Sequence, residues 1–84
     1  MSQYNDTISA VKAVAVTTAD TDLATSYRAL YHGGASAADI VVYMAGDKTD
    51  TAITFKNVPS GALLPIQVRQ VRTATTATDI VGLI

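Results

Sequence analysis

The chain has 84 residues and a net charge of −1, from six Lys/Arg against seven acidic residues, with no Cys and one His. No basic excess exists to displace counterions, which argues against a nucleic-acid partner. No run approaches the roughly 20 apolar residues of a membrane span. Hydrophobic residues reach 49% and charged ones only 15%. A domain this small buries only about 60–65% of the surface its unfolded chain exposes, so oligomerisation and partner contact are expected to cover part of the apolar content.

Ala, Thr, Val and Ile dominate, and every acid is Asp. Stiff β-branched side chains suit a pleated surface, and good exposed helix formers are scarce. The expected class is all-β. Residues 1–10 show no clear period and read as an N-terminal arm, with one domain over 11–84. The opening MSQYNDTISA lacks the basic start and apolar core of a secretory signal, so synthesis in the cytosol is the expectation. Lys12 to Thr18 alternate around Val14 and Val16, a short strand; a helix over 8–16 is the competing reading, opposed by its β-branched residues. In the ADTDLATS stretch, Asp20 and Asp22 are expected to bond nearby backbone amides in a turn.

Ser26 to His32 form the next predicted strand, with Tyr27, Ala29 and Tyr31 on one face and Arg28, Leu30 and His32 on the other. Gly33-Gly34 ends it, supplying positive φ, and ASAAD is a loop. Ile40 to Ala45 is apolar on both faces, as a central strand should be. After the turn GDKTD, Thr51 to Lys56 form a strand with Ile53 and Phe55 inward. NVPSG is a tight turn in which Gly61 is free to take positive φ. Leu63 to Arg72 read as the longest strand, with a bulge near Gln70 where Val71 breaks the parity of Leu64, Ile66 and Val68. Pro65 places it at an edge or delays its start. TATTAT is a polar loop and Ile80 to Ile84 the last strand. The sum is a small antiparallel β-sandwich, or barrel-like sandwich, of about six to seven short strands.

Chemistry is sparse. His32 has no adjacent nucleophile or orienting carboxylate, so an exposed or edge imidazole is the expectation. The pairs Asp20/Asp22 and Asp47/Asp50 resemble pieces of calcium loops, but no Glu exists to close one, and they read as turn formers. No Lys-Ser/Thr pair follows Gly33-Gly34 or Gly46, so neither is a phosphate cradle. No catalytic, metal or cofactor residue is assigned. Tyr27, Tyr31 and Tyr43 could form a sugar-stacking platform, which keeps a carbohydrate-binding or adhesion module as the alternative function. Arg28, Arg69 and Arg72 are either interface groups or charges guarding an edge strand.

Three stretches carry a resemblance: TTADTDLA, then RALYHGGASAADIVVYMAG, then ITFKNVPSGALLPIQVRQVRTATTATDIVGLI. Arg28 to Tyr31, Gly33-Gly34, Val58-Pro59, Gly61, Leu64-Pro65, Val68, Thr75 to Thr78 and Ile80-Val81 fit the pattern. It resembles that of the head-spike base and capsid decoration proteins of tailed phages and gene transfer agents. It covers about residues 20–84 and departs where Ala24 stands in place of a frequent Pro and where the 48–50 turn is longer. The resemblance implies a structural virion protein on the outer surface of the head, made in the host cytoplasm. Its implied partners are further copies of itself (a homo-oligomer, with a trimer favoured), the major capsid protein, and a head-spike or fibre protein. With it the interface is expected at Tyr27, Arg28, Tyr31, Leu63, Leu64, Pro65, Arg69, Arg72, Thr75 and Thr76, with no catalytic residue.

Overall fold

The computed structural model describes residues 10, 12–23 and 27–84. Apart from Ala10, the expected arm lies outside the described residues, as does Ser26 of the second predicted strand. The strands are β1 Ala13–Ala15, β2 Ala29–His32, β3 Ala38–Met44, β4 Ile53–Val58, β5 Leu63–Leu64, β6 Val68–Val71 and β7 Ile80–Leu83, with no helix among the described residues. They form a four-stranded sheet in the order β1-β7-β2-β5 and a three-stranded sheet in the order β4-β3-β6. Every pairing is antiparallel. The all-β reading is borne out, and within 12–16 the strand replaces the competing helix.

Alternation builds the core. Leu30 from β2, Ile40 and Val42 from β3, and Val68 and Val71 from β6 are each at most 1% exposed. Tyr27, Val58, Ala77 and Ile80 complete the cluster. The apolar run expected at 40–45 is β3, central in its sheet, and Ile40, Val41 and Val42 are all buried there. Gly61 takes φ 82 in the turn where Ala62 N–H donates to the Pro59 carbonyl at 3.1 Å, as the NVPSG stretch predicts.

The long strand predicted over 63–72 is two strands in different sheets. Pro65 has no N–H to give a ladder, and around it the Ile66 N–H donates to the Leu64 carbonyl at 2.8 Å, a three-residue turn. The chain thereby leaves one sheet after Leu64 and enters the other at Val68. The expected bulge is present. Tyr43 pairs with Gln70 and Met44 with Val68, so Arg69 is the extra residue. A second irregularity lies between Ala38 and Ile40 opposite β4. There Asn57 sits at φ 56 and donates its N–H to Asp39 Oδ1 at 2.9 Å.

Other expectations hold in part or fail for reasons of neighbourhood. Ile53 lies opposite Val42 and Phe55 opposite Ile40, so both face inward as expected, yet Ile53 on this edge strand stays 38% exposed where Phe55 is half-buried. Tyr27 precedes β2 and lies in the core instead of sharing a face with Tyr31. Among the glycines only Gly61 has positive φ. Gly33 and Gly34 are needed for space: a Cβ on them would come 2.7 Å from the Asp79 carbonyl oxygen and 2.7 Å from Thr78 Oγ1 respectively.

Candidate functional site

The sheets present outer faces of opposite chemistry. On the three-stranded sheet, the bulge at Arg69 and the end of β6 bring two arginines over one aromatic ring. The Arg69 and Arg72 Cζ atoms lie 4.7 and 4.3 Å from the Tyr43 ring centroid, within cation–π range. Arg69 donates from Nε to the Asp47 carbonyl at 3.1 Å, from Nη1 to Asp22 Oδ1 at 3.1 Å, and from Nη2 to Asp50 Oδ1. Arg72 donates from Nη1 to Gln70 Oε1 at 2.6 Å, and its Nε lies 3.5 Å from Asp20 Oδ1.

This cluster ties down the segment that follows β1. Ala19 N–H donates to the Val71 carbonyl at 2.9 Å and Leu23 N–H to the Arg69 carbonyl at 2.7 Å. Asp22 accepts from Gln70 Nε2 at 2.8 Å, and Asp20 from the Thr73 N–H at 3.2 Å and its hydroxyl at 3.1 Å. Residues 19–23 therefore lie along the outer edge of β6. The local turn expected of Asp20 and Asp22 is corrected: their partners stand about fifty positions away, on and after β6. Asp47 does act locally, accepting from the Thr49 N–H at 2.8 Å.

The Thr73 amide and hydroxyl, with Arg72 beyond them, hold the Asp20 carboxyl below the usual carboxylate range. Gln70 and then Arg69 do the same for Asp22, and Thr49 for Asp47. Asp50, followed by Asp22, raises the Arg69 guanidinium. A depressed carboxyl contributes its stability in full above its unfolded value, about pH 4, and loses it as pH falls through the lower folded value. The share of the urea unfolding midpoint that these carboxylates carry should thus be constant from neutral pH down to about 4 and fall below that. Asp22→Asn should flatten part of the fall; an unchanged profile would show that the tether carries no linkage.

The outer face of the four-stranded sheet is the reverse. Register places Ala15, Val81, Tyr31 and Leu63 in one row across the sheet, with Ala13, Leu83 and Ala29 in the next row on the same side. No charged residue stands in either row. Tyr31 is 40% and Leu63 55% exposed, and Pro65 beyond them is exposed as well.

The expected interface residues thus divide. Tyr31, Leu63 and Pro65 lie on or beside the uncharged face. Leu64 is half-buried, opposite Leu30. Tyr27 is core. Arg28 is half-buried and gives its N–H to the Leu83 carbonyl at 2.7 Å. Arg69 and Arg72 are engaged within the chain. Thr75 and Thr76 fasten the polar loop to β3: Val41 N–H donates to Thr75 Oγ1 at 2.9 Å and Asp39 N–H to Thr76 Oγ1 at 3.0 Å. The three tyrosines proposed as a sugar platform occupy the core, one outer face and the other outer face, so the platform does not form.

His32 is corrected too: it is 1% exposed. Its Nδ1 lies 3.1 Å from both the Val58 and Pro59 carbonyl oxygens, so Nδ1 carries the hydrogen, and the ring clips β2 to the end of β4. A burial signal was present in the sequence, since His32 shares parity with Leu30.

No protein-family model and no curated protein matches the chain. A solved structure does: a chain of the "Capsid of native GTA particle computed with C5 symmetry". It is 35% identical, the match covers 90% of this chain and 84% of that one, and the TM-score is 0.68.

Proposed function

This chain belongs to the same family as that polypeptide of a gene transfer agent capsid, and from this membership we propose that it is a head-surface protein. Within the class of virion structural proteins it acts as a spike or fibre base or as a cement protein, oligomerises, and binds the shell of the major capsid protein. The observation that carries the reading is the 35% identity over 90% of the chain, supported by the order of motifs from Asp20 onward. The uncharged outer face supplies the docking surface, with Tyr31 and Leu63 as its largest exposed side chains. Arg69 and Arg72 serve it indirectly, by holding the opposite face and the 19–23 segment rigid.

Co-sedimentation of the purified chain with heads that lack it tests this. The wild type is expected to pellet with heads, and Leu63→Lys to lose most of that binding while keeping its melting temperature, because Leu63 is 55% exposed. Wild-type protein that stays in the supernatant, together with particles whose cryo-EM maps show no density for it, would remove the assignment.

A further inference from the structure

The four edges of the two sheets are β1, β5, β4 and β6. Unpaired edges invite another strand, and proteins guard them with charge, proline, bulges or cover. Residues 19–23 cover β6. β5 is two residues long and runs into Pro65. β4 carries Lys56 and the left-handed Asn57. β1 is Ala-Val-Ala, with no charge, proline or bulge of its own, only Lys12 beside it and no cover among the described residues, and Ala13 and Ala15 are exposed.

Hydrogen-bond alternation shows which groups that edge offers. Lys12 and Ile84 exchange both backbone bonds, at 3.3 and 2.8 Å, and Val16 N–H donates to the Ile80 carbonyl at 2.9 Å. In an antiparallel ladder every second residue faces the same neighbour. Lys12, Val14 and Val16 therefore face β7, and the backbone N–H and C=O of Ala13 and Ala15 point away from the sheet. No described residue pairs with them.

We propose that this edge binds the β1 edge of a second copy of the chain, antiparallel and centred on Val14. That register sets Ala13 opposite Ala15 of the second copy, and both symmetry-related pairs exchange backbone hydrogen bonds. It also sets Lys12 opposite Val16, so no like charges meet. Self-complementarity is what favours a second copy: across a two-fold axis the outward N–H and C=O of Ala13 meet those of Ala15 in the other chain, and no charged group of β1 or of the outer rows beside it faces its own image. The two uncharged faces become one surface of twice the width, continuous across the axis. The contact is isologous and yields pairs of copies; the trimer favoured from sequence would need a different surface.

The proposal rests on the oligomer reading above, and engineered cysteines test it separately, since the chain has no Cys. Ala13→Cys and Ala15→Cys proteins are oxidised together and each alone, with Thr54→Cys mixed with Ala15→Cys as the control from the β4 edge. Directly opposed residues lie within disulfide reach and the diagonal neighbours do not. The expected result is a cross-linked dimer in the Ala13→Cys/Ala15→Cys mixture only. No cross-link there, or an equal yield in the control, overturns the pairing. Chains that oligomerise and bind heads without that cross-link refute the register and leave the head-surface role standing. Chains that cross-link in register but ignore heads do the opposite.

Discussion

Replacing Gly82 by alanine should destabilise the fold by about 3 kcal/mol, the upper end of what overpacking a core ordinarily costs. Gly82 lies in β7, between β1 and β2, in the row Val14–Gly82–Leu30. The Tyr27 ring lies flat over it. A Cβ at position 82 would come 2.5 Å from Cδ1 and 2.6 Å from Cγ and Cε1 of that ring, far inside van der Waals contact. Tyr27 is 6% exposed and belongs to the core cluster, so the ring cannot swing aside without unpacking its neighbours. Alanine gains about 0.5–1 kcal/mol from its lower backbone entropy cost, which offsets only part of the clash. Urea unfolding at neutral pH measures the difference. Tyr27→Ala in the Gly82→Ala background should cost much less than the sum of the two single changes, because the substituted positions touch. A Gly82→Ala loss below about 1 kcal/mol would mean that the ring yields freely.

His32→Ala should cost about 3 kcal/mol or more, from the cavity left by a fully buried ring together with carbonyls deprived of their donor. The side chain links β2 to the 58–59 segment, through Nδ1 to the Val58 and Pro59 oxygens. Its Nε2 has no hydrogen-bond partner among the described residues, so the ring is held by one nitrogen only. His32→Asn keeps a donor near the Nδ1 position and should retain more stability than alanine in the same urea titration. Equal losses from both substitutions would assign the whole effect to lost volume and none to the hydrogen bonds.

These two residues mark the limit of what could be read from the chain. Whatever depends on the properties of neighbours in sequence was legible: the all-β class, β3 from an apolar run, the positive φ of Gly61 after Val58-Pro59-Ser60, and the bulge beside Gln70 from a break in parity. The same local logic failed once a residue answered to a distant one. Pro65 pointed to an edge position or a late start, yet nothing in 63–72 said that the strand would divide and that β5 and β6 would enter different sheets. Asp20 and Asp22 looked like turn formers because Asp bonds nearby amides; their partners are Thr73, Gln70, Arg69 and Arg72. Gly82 offered no local sign that a ring would lie over it.

The expected contact surface shows the same division. Arginines on an apolar strand suggested docking, because a guanidinium fork usually seeks a partner. The partners are in the chain itself: Asp22, Asp50 and the Tyr43 ring for Arg69, Asp20 and Tyr43 for Arg72. The uncharged face arises only when β1, β7, β2 and β5 are set side by side. No single segment displays it, since each contributes one or two residues to each row. By itself, then, the sequence determined the all-β class, the central strand β3, the Gly61 turn, the bulge in β6 and the family resemblance, which follow from side-chain shape and local backbone preference. The tertiary structure alone decided which face is charged, which edge lacks a partner among the described residues and which buried groups hold the sheets together, because these are set by residues far apart in the chain.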